Sequence, residues 1–216
     1  SAIDNWPDSI YKAVFHNKSI TNALKIVRAA ANSGVNAIKL QTYTPDTITI
    51  NCDKDDFIIK GTIWEGRNLH KLYQEAFTPW EWHEILFKTA KDEGLVCFSS
   101  PFDKSAVDLL ESLDTPAYKI ASFENNHHPL IKKVAETKKP VIISLGMYDY
   151  KNKDIPYKGD NIIYLYCVSK YPTTISDLEI PDFDNSFFSG FSDHTVGIGA
   201  CLYAVSKGAT YIEKHY

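Results

Sequence analysis

The stretch GFSDHTVGIGACLYAVSKGATYIEKHY, residues 190–216, decides the fold. It reads as an apolar run closing on Ser-Asp-His, a small-residue helical segment ending at Gly208, and a second apolar run closing on Glu-Lys-His. Short runs that are continuously apolar, rather than alternating, are the mark of strands covered on both faces, as in parallel sheets. The unit is therefore strand, helix, strand, and both strands finish on a polar cluster.

The same pattern repeats along the chain. Candidate strands are NAIKLQ (36–41), LVCFSS (95–100), AYKIAS (117–122), PVIISLG (140–146), NIIYLYCV (161–168), FFSGFSD (187–193) and ATYIEKH (209–215), with a weaker run YKAVFH (11–16) before them. Helices are expected between them. One runs from Ser19 as cap to a stop at Gly34. Another has Thr78 as cap, Pro79 at its first position, Glu81 completing a capping box and Gly94 as stop. Asp103 caps SAVDLLESL, and His128-Pro129 opens PLIKKVAET. The connections 147–160 and 172–186 are rich in Pro, Asp, Asn and Lys and are expected as loops. Eight strands alternating with helices predict a reduced (β/α)8 TIM barrel, smaller than the usual ~250 residues. The competing doubly wound sheet would offer a glycine-rich phosphate loop, and neither GxGxxG nor GxxxxGK[ST] occurs.

Composition narrows the function. The chain has 216 residues, 44% hydrophobic and 23% charged, with a net charge of -4. That is the profile of a soluble domain with no global attraction for nucleic acid or anionic membrane. No apolar run approaches the ~18 residues of a membrane span. The four cysteines are far apart and lack a CxxC pair, which fits reduced thiols and a cytoplasmic setting.

In a parallel barrel the chemistry sits at the carboxyl ends of the strands. His194 and His215, 21 residues apart and one strand–helix unit away from each other, are a candidate metal pair that would leave positions for water and substrate. Hydrogen bonding at the sheet end is the alternative. Lys39 and Lys119 stand within apolar strands, where a lysine is costly unless paired. They read as an anion clamp with Ser100, Ser122, Ser169 and Ser192, as a Schiff-base lysine, or as interior salt bridges of Lys119 with Glu124 or of Lys39 with Glu213. Glu124 could bind a sugar hydroxyl or move a proton.

The stretches HNKSITNALKIVRAAANSGVNAIKLQTYTPDTIT, FSSPFDKSAVDLLESLDTPAYKIASFE, KPVIISLGM, CVSKYP and 190–216 together resemble the sialic acid synthase family, and IIKGTIWEGRNLHKLYQEAFTPWEW resembles its pseudaminic and legionaminic acid branch. The resemblance implies a (β/α)8 barrel that condenses phosphoenolpyruvate with the open-chain aldehyde of an N-acetylated amino sugar. A divalent ion, Mn2+ or Mg2+, would be held by His194 and His215. Lys39, Ser100, Lys119, Ser122, Ser169 and Ser192 would grip phosphoenolpyruvate, and Gln41, Phe102, Glu124 and Tyr171 would line the sugar site, with Lys39, Lys119 and Glu124 carrying the catalysis. Partners are then these small molecules, with a homodimer as an open expectation. Residues 1–216 are expected as one barrel domain without the family's C-terminal antifreeze-like domain. Three features depart from the family pattern. Tyr11 stands near the place of a first-strand glutamate, Ser169 stands where asparagine is frequent, and YDYKNKDIPYKGDN replaces a helix. They keep open an incomplete, ligand-binding relative, and the interior Lys119 keeps open a Schiff-base aldolase.

Overall fold

The computed structural model describes residues 19–61 and 64–215. The chain groups into two compact units, the first ending at Pro116 and the second beginning at Ala117. The weak eighth strand expected at 11–16 lies outside the described residues, as does Tyr11.

In the first unit, helix α1 (Ile20–Asn32) is capped by Ser19, whose Oγ accepts from the Asn22 amide at 3.4 Å. Its Ala23, Val27 and Ala30 are the buried stripe expected of a 3.6-residue repeat, and they pack with Leu86, Ala90, Leu95 and Cys97. Strand β1 (Ala37–Thr42) runs parallel to β2 (Val96–Pro101), with Lys39 opposite Phe98 and Gln41 opposite Ser100. Between them lie α2 (Pro45–Ile48), α3 (Leu69–Ala76) and α4 (His83–Asp92), and α5 (Lys104–Ser112) follows β2.

Two details differ from expectation. Helix α3 carries its own cap, Asn68, which accepts from the Lys71 amide at 3.1 Å. It was hidden because its eight residues give barely two turns of periodicity. Helix α4 begins at His83 rather than beside Pro79, and residues 80–82 form a 3-10 turn instead. Pro79 itself is extended (φ -52°, ψ 133°), and the Trp80 indole is drawn aside to donate to the Tyr43 carbonyl at 3.1 Å. The Thr78 cap and Glu81 capping box therefore do not form this helix start.

In the second unit, β3 (Tyr118–Ile120), β4 (Val141–Ser144), β5 (Ile162–Cys167), β6 (Phe188–Asp193) and β7 (Tyr211–Lys214) pair side by side, all parallel and in sequence order. Helix α6 (His128–Glu136) joins β3 to β4, and α7 (Gly199–Ser206) joins β6 to β7. Residues 147–160 contain no helix, and residues 172–186 hold only two 3-10 turns. Aromatic packing replaces the missing cover: the Tyr150 ring meets Phe188 edge-on at 5.0 Å and Tyr166 at 6.3 Å, a geometry favoured by ring quadrupoles. The Tyr164 hydroxyl donates to the Tyr157 carbonyl at 2.6 Å, pinning the same loop.

All seven stronger strand expectations are met, each strand–helix alternation is parallel, and the architecture is parallel α/β. All four cysteines are unpaired. Among the described residues no helix is long and apolar enough to cross a membrane.

Asp103 caps α5 twice, Oδ2 accepting from the Ser105 amide at 2.9 Å and Oδ1 from the Ala106 amide at 3.2 Å. Asp103→Ala is expected to cost about 1 kcal/mol, whereas Leu110→Ala, which empties a wholly buried site on the same helix, costs about 2–5 kcal/mol. Urea denaturation of the two variants measures the difference.

Candidate active site

Parallel strands carry their side chains alternately to the two faces, so a residue at a strand's carboxyl end is aimed by the whole strand behind it. In the second unit this brings most of the expected residues into one connected set.

Lys119, in the middle of β3, is 2% exposed. Its Nζ donates to Ser144 Oγ, at the end of β4, at 2.7 Å. It also lies 3.3 Å from Glu213 Oε1 on β7. The same Glu213 oxygen accepts from Ser192 Oγ at 2.7 Å, and Ser192 and Glu213 are register partners on β6 and β7. A carboxylate and a hydroxyl are thus among the groups that answer the buried ammonium. Its ionic partner is Glu213 rather than Glu124, which the sequence offered as the nearer candidate.

Ser169 Oγ, just beyond β5, donates to Ser122 Oγ, just beyond β3, at 2.7 Å. Gly146, after β4, lies against this pair. A Cβ placed there would come within 2.5 Å of Ser169 Oγ and 2.8 Å of Ser122 Oγ, so only glycine leaves room beside the two hydroxyls. Glu124 follows in the 3-10 turn Ser122–Glu124. Its Oε2 is buried and has no hydrogen-bond partner among the described residues. Burial pushes this carboxyl up to about 7, against the opposing pull of its own backbone amide and of the Lys119 charge. At neutral pH it is therefore a mixture of acid and anion.

The histidines meet at the other end of the set. The rings of His194 and His215 lie 5.2 Å apart between centroids, inclined at 41°. The Tyr171 ring covers His194 at 4.1 Å and meets His215 edge-on at 5.8 Å. His194 is 7% exposed, and its Nδ1 lies 2.8 Å from the Val168 carbonyl. A carbonyl only accepts, so Nδ1 carries the proton and the ring's lone pair lies on Nε2, the arrangement that fixes a ligating imidazole. The His194 carbonyl in turn accepts from the Thr173 amide at 3.0 Å. His215 is exposed.

Among the described residues no group of three or more His, Cys, Asp or Glu could hold a metal ion. Two imidazoles suit an ion that keeps several positions for water and substrate, as catalytic sites require. The pair fits a divalent ion on that count.

The remaining expected residues belong to the first unit. Lys39 is half-buried on β1, and Gln41 at its end is exposed. Ser100 on β2 is 1% exposed, and its Oγ has no hydrogen-bond partner among the described residues. Phe102 packs edge-on against Tyr43 at 5.4 Å. Beside them Thr42 Oγ1 links His83 Nε2 at 2.8 Å to Ser99 Oγ at 2.7 Å.

Two members of the second unit's network were missed as site residues. Ser144 ends β4 in SLG, the same polar strand-end signal that singled out Ser100 and Ser192. Glu213 was read only as a possible partner of Lys39.

The chain is 44% identical over 212 residues to the pseudaminic acid synthase of Campylobacter jejuni, covering 93% of this chain and 62% of that protein. Its identity to the Helicobacter pylori pseudaminic acid synthase is 42% over 214 residues, again covering 93% and 62%. The chain thus spans about three fifths of the length of these curated relatives. Among solved structures, an N-acetylneuraminic acid (sialic acid) synthetase from Leptospira borgpetersenii in complex with citrate superimposes with a TM-score of 0.76 at 26% identity, over 94% of this chain and 70% of that one. The profile of the NeuB family matches residues 26–216, which is most of the chain, and the chain belongs to the NeuB family.

Proposed function

We propose that this chain is the barrel part of a nonulosonic acid synthase, condensing phosphoenolpyruvate with an N-acetylated amino sugar of the mannosamine or 6-deoxy-diacetamido type and releasing phosphate. Closure of the parallel strands into a (β/α)8 barrel belongs to the same proposal. The observation that carries it is the buried Lys119 ammonium at the polar ends of the strands, linked through Glu213 to Ser192 and through its own donation to Ser144. The family membership supports the chemistry.

In this reading C3 of phosphoenolpyruvate adds to the aldehyde carbon of the sugar. Water takes the cationic C2 centre, and phosphate leaves by C–O cleavage. Lys119 and Ser144 hold the anionic substrate in a site where water is scarce and each charged contact is worth more than in solvent. The Ser122–Ser169 hydroxyl pair beside Gly146 offers further donors for its oxygens, and Ser192 completes the grip. Lys39 and Ser100 are assigned to the same substrate, and Gln41, Phe102 and Tyr171 to the sugar. Glu124 Oε2, which titrates near neutrality, gives a proton to the oxygen that becomes the new hydroxyl. A divalent ion held by His194 and His215, Mn2+ or Mg2+, would supply Lewis acidity toward the aldehyde oxygen. An ammonium held by a carboxylate and a hydroxyl is a charged donor. A Schiff-base nucleophile would instead need a neutral amine, which disfavours the aldolase.

Three outcomes follow for the protein. Phosphate should be released from phosphoenolpyruvate only when both sugar and divalent ion are supplied, and a chelator should stop it; release without sugar contradicts the assignment. Lys119→Met should lower kcat/KM by about a hundredfold or more, the scale of one lost charged contact to a developing charge, while Lys132→Met on exposed helix surface leaves it unchanged. Glu124 has a folded-state pKa above its unfolded one, so the folded protein binds the extra proton and loses stability as pH rises from about 4.5 to about 7. Glu124→Gln removes that loss. Its melting temperature should exceed the parent's by more at pH 8 than at pH 5, and thermal scans at the two pH values check the sign.

A further inference from the structure

The strands β6 and β7 carry a second cross-strand pair one residue beyond Ser192 and Glu213. Asp193 and Lys214 are register partners. By strand alternation they stand on the face opposite to Ser192 and Glu213. Lys214 Nζ donates to Asp193 Oδ2 at 2.7 Å. The Asp193 side chain is wholly buried and that of Lys214 is 28% exposed, so this is an interior ion pair rather than a surface one. The residues just beyond the two strands are His194 and His215.

The pair also holds the backbone that follows His194. Asp193 Oδ1 accepts from the Thr195 amide at 2.8 Å. Lys214 Nζ donates a second hydrogen bond to the Thr195 carbonyl at 2.7 Å. Asp193 Oδ2 further accepts from Cys201 Sγ on α7 at 3.0 Å. With the Thr173 amide donating to the His194 carbonyl at 3.0 Å, the peptide after His194 is fixed at both of its polar atoms. What these groups fix is the exit of β6 and its separation from the end of β7, and those two quantities set how the two rings face each other.

We propose that Asp193 and Lys214 are positioning residues for the metal pair. From the back of the sheet they hold His194 and His215 at the spacing and inclination that a divalent ion needs. The inference rests on the reading of those histidines as metal ligands. It adds to that reading two residues that would touch neither the ion nor the substrate.

Mn2+ affinity of the whole protein, read from the electron paramagnetic resonance of free Mn2+, tests it, with the absorption spectrum of the Co2+-loaded protein as a signature of coordination geometry. Lys214→Met and Asp193→Asn should each weaken Mn2+ about tenfold, the lower end of what residues behind a metal ligand contribute, and should alter the Co2+ spectrum. Lys214→Arg, which keeps the charge and the donors, should restore both. His194→Ala and His215→Ala should abolish binding. If the histidine variants lose the ion while Lys214→Met and Asp193→Asn bind it as tightly as the parent with an unchanged spectrum, the pair is structural only and the inference is overturned, although the metal site stands. If neither histidine variant changes the affinity, the metal reading fails and takes the inference with it. Should Lys214→Met or Asp193→Asn not fold, Lys214→Gln, which keeps a donor, and Cys201→Ala, which removes one donor to Asp193, carry the same comparison.

Discussion

A lysine ammonium at 2% exposure has to be answered by the protein around it. An ion taken out of water costs several kcal/mol even after relaxation. The answer comes from strands that are distant in sequence: Ser144 on β4 and Glu213 on β7, the latter held in turn by Ser192 on β6. This requirement constrains the second unit. The strands must be parallel and in sequence order, or their polar ends would not lie at one end of the sheet. Removing one partner would leave a buried charge unanswered, which commonly costs about 3–5 kcal/mol, whereas a bound anion would give the same ammonium a second negative partner. A network of this kind can therefore serve both folding and ligand binding.

The same strand ends keep their places although two of the unit's connections have no full helix. The loop 147–160 is held by rings, Tyr150 against Tyr166 and Phe188, and by the Tyr164 hydroxyl on the Tyr157 carbonyl. Cover is supplied by aromatic area rather than by a helix stripe. His194 is held by backbone hydrogen bonds and by the Tyr171 ring instead.

Much of this was legible in the sequence. Unbroken apolar runs ending in Ser, Lys, His or Glu marked seven strands and also marked their working ends, because burial on both faces leaves polar residues only where the strand stops. Asp103 and Ser19 were readable as caps because a single side-chain oxygen satisfies the free amides of a first turn. Helix starts set by tertiary contacts were not readable: the Trp80 indole bonding the Tyr43 carbonyl displaces the beginning of α4. The site was readable by residue type and less so by partner. Lys119 was singled out as a costly interior lysine, and its carboxylate proved to be Glu213, because pairing across β3 and β7 depends on sheet order, which no local spacing encodes. Ser144 escaped for the same reason, and Gly146 because a missing side chain leaves no chemical signal.

The central claim is that the Lys119 network holds phosphoenolpyruvate, and a crystal structure of the protein grown with phosphoenolpyruvate tests it most directly. The account predicts a carboxylate or phosphate oxygen of the ligand within hydrogen-bond distance of Lys119 Nζ, with Ser144 and Ser192 among its neighbours. Phosphoenolpyruvate bound elsewhere, with Lys119 still engaged by Ser144 and Glu213 and not by the ligand, would contradict it.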